Sequence, residues 1–215
     1  MAARYGADVK TTGQAWREFR VKRSPQILAA GVVAVAVARL LAGSFGWRDA
    51  VAAALMVPVY VFGEWAIHVY LLHLPPLEWR GETIELVTAR SHRMHHEDPH
   101  NLFMILLGPL EAVALLGLVP IVAAAFLPLG WHAALTAVAA GYALIFAYEW
   151  THFLIHTAVR PRSRYFASIH RGHRLHHFKN EHYWHGITNT VSDRVLGTAP
   201  EQASVPRSET ARTLR

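Results

Sequence analysis

The sequence of 215 residues contains no cysteine. That absence excludes a disulfide framework, thiolate-ligated haem, iron–sulfur clusters of the usual kind and Cys-based zinc sites. Charged residues are also scarce, at 17% of the chain against 53% hydrophobic residues, which is low for a soluble domain. A metal site in this chain would therefore use histidine and carboxylate ligands. The length suits one integral-membrane domain.

Histidine, in contrast, is abundant, with fifteen residues. Ten of them form clusters at the ends of long apolar segments, mostly at spacings of three or four that share one helix face. Neutral imidazole is the commonest side-chain metal ligand. Ten clustered imidazoles exceed what one mononuclear site can use, so the pattern predicts a two-metal centre. The ten residues are His68, His73, His92, His95, His96, His152, His156, His173, His176 and His177.

The first pair departs from the helical spacing. His68 and His73 are five residues apart, which places them about 140° apart round an ideal α-helix. Either the helix is distorted at this point or the two side chains serve different metals.

Four apolar segments approach or exceed the length needed to cross a membrane, which takes about 20 residues for a hydrocarbon core of roughly 30 Å. Gly108, Pro109 and Glu111 could break the third segment into a membrane helix and an interfacial helix. The sequence therefore predicts an all-α protein with four transmembrane helices. The predicted spans are residues 26–42, 50–74, 102–129 and 132–150.

These spans define the expected domain organisation. A membrane-embedded catalytic domain covers residues 26–200 and follows an N-terminal segment at residues 1–25. The remaining residues, 201–215, are polar, and this composition predicts a disordered tail.

The basic residues predict the orientation of the chain in the membrane. All but Arg39 and Arg48 lie in residues 1–25, in residues 75–101 or after residue 150. The positive-inside rule assigns that face to the cytoplasm, and the ten clustered histidines fall on the same face. The net charge of +6 is thus explained by membrane topology and not by a nucleic-acid partner. The Ala- and Arg-rich composition favours the cytoplasmic membrane of a bacterium.

Histidine ligands without thiolate suit iron, zinc, copper or nickel. A metal centre at the boundary of a membrane can receive a lipid from the bilayer. The difficult reaction on such a substrate is oxidation of an unactivated C–H bond. Zinc has no redox chemistry and cannot perform it, whereas iron with O₂ can.

Four strings that contain the clustered histidines carry a resemblance to a known family. The chain resembles the fatty acid hydroxylase/sterol desaturase superfamily of integral-membrane non-haem di-iron oxygenases, and is most similar to its fatty acid 2-hydroxylase branch. The last string is the most specific, because it combines HxxHH with a Gly-Ile-Thr turn and an Asp before Gly-Thr. The strings are EWAIHVYLLH (64–73), SHRMHH (91–96), YEWTHFLIH (148–156) and HRLHHFKNEHYWHGITNTVSDRVLGT (173–198).

The resemblance implies a four-helix membrane anchor under a cytosolic, histidine-rich helical cap. It also implies two iron ions held by the ten clustered histidines, with O₂ as co-substrate; zinc could replace iron in a purified protein. The chain has no His-Pro-Gly-Gly haem motif, so electrons would come from a separate donor protein, a reductase chain. The implied reaction is hydroxylation of a membrane lipid, in the first place a fatty acid or fatty acyl chain.

Four further residues are candidates for supporting the ligands, because metal-bound imidazoles need their other N–H fixed. Glu64 and Glu149 precede His68 and His152 by one helical turn, which predicts that they orient those imidazoles. His182 and His185 follow the last histidine cluster and are candidates for the same supporting role.

Two alternative functions stay open at this point. Sterol or carotenoid hydroxylases and desaturases share histidine clusters of this kind. A divalent-metal-binding membrane protein or transporter belongs to another class. Transporters place their sites near the bilayer midplane, whereas the histidines of this chain cluster towards one predicted face.

Overall fold

The computed structural model describes residues 5–214 of the chain, which are mostly helical. Residues 1–4 of the expected N-terminal segment and residue 215 of the expected tail lie outside the described part. The chain divides into two compact units. We call Trp16–Tyr60 with Leu107–Trp150 the membrane unit. We call Met1–Ala15, Val61–Leu106 and Thr151–Arg215 the histidine unit.

Within the described residues, four helices are long and apolar enough to cross a membrane. This finding confirms the predicted multi-pass, all-α architecture. The four helices are α2 (Arg23–Ala42), α3 (Trp47–Ile67, extended by a π-helical turn, His68–Leu72), α5 (Pro109–Ala123, extended by a 3₁₀ turn, Ala124–Leu129) and α6 (Trp131–Ile155).

The third membrane helix is shorter than the apolar segment that predicts it. Helix α5 begins at Pro109, and residues before Gly108 form turns. Proline fits the first helical position because its missing N–H has no partner there in any case. The break expected at Gly108 and Pro109 is therefore present, and it separates turns from a single helix.

Small residues allow the helices of the membrane unit to pack closely. A Cβ atom placed on Gly141 would lie 2.6 Å from Val119 and 2.7 Å from the Met56 methyl group. Ala52, Ala112 and Ala137 contribute to the same buried core. Close packing of this kind is the main source of helix association in lipid, where the hydrophobic effect is weak.

The membrane unit also buries an ion pair. The Arg39 guanidinium lies 2.6 Å from an Asp49 carboxylate oxygen, and it also donates to the Thr136 hydroxyl and the Gly43 carbonyl. The Thr136 hydroxyl in turn donates to Asp49 at 2.6 Å. Charged groups inside membrane segments are costly and are normally paired in this way, which accounts for the arginine in the first span.

The histidine unit contains a short β-hairpin and three further helices. Strands β1 (Leu77–Trp79) and β2 (Glu82–Ile84) pair in antiparallel fashion. The short helix α1 (Thr12–Phe19) lies at the N-terminal boundary of the unit. Helix α7 (Arg164–Phe178) begins where the Ser163 hydroxyl accepts a hydrogen bond from the Phe166 amide. The three helices are α4 (Val87–Glu97), α7 (Arg164–Phe178) and α8 (Val191–Val195).

The polar segment at residues 201–214, for which the composition predicts disorder, packs instead against the rest of the histidine unit. Val205 and Ala211 are buried, and the Arg212 guanidinium donates to the His96 carbonyl at 2.8 Å. The amide of Ser208 donates to the Lys179 carbonyl at 2.8 Å. Composition did not reveal this order because hydrogen bonds to backbone carbonyls at helix ends fix the segment. Such a segment needs few apolar residues to become ordered.

Candidate metal centre

The structure brings all ten clustered histidines together in the histidine unit, as two groups of five. In each group, one nitrogen from every imidazole lies within 4.8 Å of the others, and all but His73 are buried. Group 1 consists of His68, His73, His92, His96 and His176; group 2 consists of His95, His152, His156, His173 and His177.

Two helices contribute to both groups. Helix α4 supplies His92 and His96 to group 1 and His95 to group 2. Helix α7 likewise supplies His176 to group 1, and His173 and His177 to group 2. The HxxHH spacing thus places alternate ligands of one helix towards two neighbouring sites.

The π-helical turn explains the unusual spacing of the first pair. The amide of His73 donates to the carbonyl of His68 at 3.3 Å, which is the i→i+5 bond of a π-helix. This wider turn brings His68 and His73 into the same group. The sequence left two explanations open, a distorted helix or ligands to different metals, and the structure shows a distorted helix.

The Nε2 atoms of group 1 converge on that of His92. The distance to the His92 Nε2 atom is 3.2 Å from the Nε2 atoms of His68, His73 and His96 alike. In group 2 the Nε2 atom of His156 is 3.1 Å from that of His95 and 2.9 Å from that of His173. Two nitrogens at about 2.1 Å from a metal and at right angles to each other would be about 3.0 Å apart, which matches this spacing.

Backbone carbonyls fix the orientation of three group 1 imidazoles. The Nδ1 atom of His68 donates to the His185 carbonyl at 2.6 Å, and that of His96 to the Ala211 carbonyl at 2.8 Å. The Nδ1 atom of His176 donates to the Tyr183 carbonyl at 2.9 Å. Because each Nδ1 carries the proton, the Nε2 atom of each neutral ring presents a lone pair, as a metal ligand requires.

Burial keeps these imidazoles neutral. It lowers the pKa of His73, His92, His95, His156, His173, His176 and His177 well below the ordinary value, and neighbouring imidazoles lower it further. Burial also lowers the pKa of His96, to about 4. At neutral pH the rings are therefore unprotonated and able to bind a cation.

The donor set fits a metal cofactor. The lone pairs of His68 and His96 both face the Nε2 atom of His92, which can donate at most one proton. Hydrogen bonds alone therefore cannot satisfy the convergence of nitrogens in group 1. The buried Nε2 atom of His176 has no hydrogen-bond partner among the described residues. A cation in each group would satisfy these lone pairs.

Glu64 acts on the loop that follows the last histidine cluster. Its carboxylate accepts from the amide of Ile187 at 2.6 Å and from the amide of Thr188 at 3.0 Å, and also from the Thr188 hydroxyl. The carbonyl of His185, two residues earlier, accepts from His68. Glu64 is thus linked to His68 through this loop, which is one way in which it could orient the imidazole as the spacing predicts.

The other three candidate supporting residues lie in different surroundings. Glu149 accepts from the Ser24 hydroxyl at 2.6 Å and the Leu107 amide at 3.0 Å, so the carboxylate that was expected to orient His152 is engaged inside the membrane unit. His182 is exposed and lies 3.6 Å from Glu181. His185 is buried; its carbonyl accepts from His68, and its imidazole packs edge-on against the His68 ring, with the ring centres 5.4 Å apart.

Sequence reasoning missed one carboxylate that shapes the site. Asp193 accepts from the amides of His185 and Gly186 at 2.9 and 2.8 Å, and from the Thr198 hydroxyl at 2.7 Å. It thus fixes the loop whose carbonyl holds His68. Its position before Gly-Thr was visible in the sequence as part of the last string, but nothing in the string indicated which backbone amides it would bind.

Comparisons with known proteins agree with these observations. The family model for fatty acid hydroxylase matches residues 53–198. The dihydroceramide fatty acyl 2-hydroxylase FAH2 of Arabidopsis thaliana is 27% identical over 143 residues, which cover 64% of this chain and 55% of that protein. The chain thus spans about half the length of this curated relative.

A solved structure shows the same fold. Full-length Scs7p, of which only the hydroxylase domain is visible, superposes with a TM-score of 0.67 at 23% sequence identity. The match covers 90% of this chain and 69% of that one. Since the family model spans most of the chain and includes all ten clustered histidines, the chain belongs to the fatty acid hydroxylase family.

Proposed function

We propose that the protein is an oxidoreductase, an O₂-dependent di-iron hydroxylase that inserts oxygen into a C–H bond of a membrane lipid. The observation that supports this most directly is the pair of five-histidine groups, whose nitrogens converge at metal-ligand spacing. Family membership adds independent support.

In this proposal the ten histidines hold two iron ions, five to each group. Iron supplies the activation of O₂ that C–H oxidation needs, whereas zinc has no redox chemistry and would support only the fold. The protein contributes neutral ligands, fixed by the carbonyls of His185, Ala211 and Tyr183. Burial of the imidazoles keeps water away from the reacting atoms.

The reaction consumes the substrate C–H bond, O₂, two electrons and two protons, and it yields an alcohol and water. We propose that these electrons come from outside the chain. A separate electron-donor protein is therefore part of the proposal. The proposal also takes both termini and the clustered histidines to lie on the cytoplasmic side, as the positive-inside rule favours.

The proposed substrate is a fatty acid or a fatty acyl chain. The name of the Arabidopsis relative refers to hydroxylation of the acyl chain of dihydroceramide, which supports an acyl conjugate as the first substrate to test. Sterols and carotenoids are the alternatives within the same chemistry.

The test is to express the protein and compare the lipids of the host by mass spectrometry under ¹⁶O₂ and ¹⁸O₂. We expect acyl chains heavier by one oxygen atom, with the label from O₂, and loss of this product in His173→Ala. His132→Ala is the matched control, because His132 stacks on Trp131 in the membrane unit and belongs to neither group. Iron-loaded protein that forms no labelled lipid, or forms it equally in His173→Ala, would contradict the proposal.

A further inference from the structure

Helix α7 has two chemically distinct faces. His173, His176 and His177 are fully buried and belong to the two groups. Arg171 and Arg174, on the same turns of the helix, are exposed. One helix therefore connects the candidate metal ligands to the surface of the histidine unit through adjacent residues.

Between residues 158 and 198, which include helix α7, the exposed Lys, Arg, Asp and Glu side chains are all arginines. The acidic residues of this stretch are Glu181 and Asp193, which are only 2% and 3% exposed and are engaged in hydrogen bonds. The next exposed carboxylate along the sequence is Glu201. Six arginines in this stretch are exposed: Arg160, Arg162, Arg164, Arg171, Arg174 and Arg194.

Two adjoining grooves shape this surface. One, of about 490 Å³, is lined by Arg164, Arg171 and Arg194 together with apolar residues. The other, of about 390 Å³, is lined by Arg174, His170 and Phe178 among others. The grooves share Arg171, Leu175 and Gln202, so they form one continuous concave strip.

Two arginines of this surface have side-chain partners. Arg171 donates to the Gln202 side chain at 2.7 Å, and the Arg174 guanidinium lies 5.3 Å from the centre of the Phe178 ring. Ordered guanidinium groups bind carboxylates with two parallel hydrogen bonds and lose little entropy in doing so. The strip is therefore suited to a surface rich in Asp and Glu.

We propose that this strip, formed by Arg164, Arg171, Arg174 and Arg194, is the docking surface for an acidic electron-transfer protein. The inference rests on the proposed function, which requires two electrons from outside the chain. Complementary charge accelerates the encounter of such partners and fixes their orientation. Docking on α7 would bring the donor to the helix that carries His173, His176 and His177, which would hold metal in both groups.

The experiment uses iron-loaded enzyme in nanodiscs of phosphatidylcholine, which carries no net charge. Reduced plant-type ferredoxin, an acidic [2Fe–2S] protein of low reduction potential, serves as the donor. Dithionite, a small reductant that needs no docking surface, drives the reference reaction. The measured quantities are kcat, the KM for ferredoxin and their dependence on salt.

The test variant is Arg171→Glu/Arg174→Glu. We expect the KM for ferredoxin to rise about tenfold or more and its salt dependence to weaken, while kcat and the dithionite-driven rate change less than about twofold. The matched control is Arg80→Glu/Arg90→Glu, which makes the same charge change at exposed arginines on the hairpin and on α4. The control should keep the wild-type KM. If the test variant loses its metal, Arg164→Glu/Arg194→Glu gives the same comparison.

Several outcomes overturn the inference. They are an unchanged KM in the test variant, an equal rise in the control, or dithionite-driven turnover without any electron transfer from ferredoxin. A charge-reversal effect that appears only in nanodiscs containing anionic phosphatidylglycerol would assign the strip to the membrane surface instead. Absence of hydroxylation with dithionite as well would contradict the proposed function itself, which keeps the two failures apart.

Discussion

At the scale of single residues, the carboxylate of Glu64 shows how the candidate metal site is supported from a distance. It accepts hydrogen bonds from a loop more than 120 residues later in the sequence, and that loop carries the carbonyl that holds His68. The sequence placed Glu64 one turn before His68 and so indicated the right neighbourhood. It could not supply the contact, because the partner loop approaches only in the folded chain.

Replacing Glu64 with alanine should weaken metal binding. The amides of Ile187 and Thr188 would lose their acceptor, at a cost of about 1–3 kcal/mol for each buried group left unpaired, and the His185 carbonyl would no longer be fixed. We expect less bound metal per protein in Glu64→Ala than in wild type, measured by elemental analysis after dialysis. Glu64→Gln retains one acceptor oxygen, so its metal content should lie between those of wild type and Glu64→Ala. Full metal content in Glu64→Ala would contradict the proposed support of His68 by Glu64.

The buried Arg39–Asp49 pair in the membrane unit makes a second prediction at this scale. Asp49→Ala leaves the buried guanidinium without its counter-ion, and an uncompensated buried charge is strongly destabilising. We expect a loss in the free energy of unfolding, measured by denaturant titration in micelles. The double variant Arg39→Met/Asp49→Leu removes both charges and should recover most of it. Equal destabilisation of the single and double variants would show that the pair does not act through charge.

At the scale of elements, helices α4 and α7 organise the site, and both were foreseeable. Histidines three and four residues apart must share a helix face, so the clusters and their convergence followed from the sequence. The π-helical turn at His68 was foreseeable only as one of two alternatives, since the spacing of five does not say whether the backbone or the metal assignment adapts. The path of residues 201–214 was not foreseeable, because its order depends on hydrogen bonds to distant carbonyls.

Deletion of residues 201–215 tests the contribution of that last segment. The deletion removes the Ala211 carbonyl, which holds the Nδ1 atom of His96, and the Arg212 side chain, which binds the C-terminal carbonyls of α4. We expect a lower melting temperature and reduced metal retention, measured by thermal unfolding and elemental analysis. Glu209→Ala, at an exposed position in the same segment, should match wild type. An intact metal content in the truncated protein would contradict this prediction.

At the scale of the whole molecule, four membrane helices and a histidine unit were predictable because hydropathy and ligand chemistry are properties of local sequence. The division of the ten histidines into two groups was not, because the assignment of each imidazole depends on how α4, α7 and the ends of α3 and α6 meet. The loop interactions of Glu64 and Asp193 are tertiary for the same reason.

Metal removal should therefore affect the whole molecule. The nitrogens of each group lie about 3 Å apart, and a cation between them would satisfy their lone pairs. Because this arrangement exists only in the folded protein, a metal that binds there stabilises the folded state. We expect treatment with a chelator to lower the melting temperature and abolish hydroxylation. Zinc should restore the melting temperature alone, and ferrous iron should restore both. Recovery of hydroxylation with zinc would contradict a redox role for the metal.

The sharing of α4 and α7 between the two groups has a consequence for how the centre assembles. A cation that binds one group fixes both helices, and this ordering also aligns the imidazoles of the other group. The second binding event then costs less conformational entropy than the first, which is positive cooperativity. During a titration of the metal-free protein, native mass spectrometry should therefore show mainly empty and doubly loaded molecules, with the singly loaded form scarce throughout.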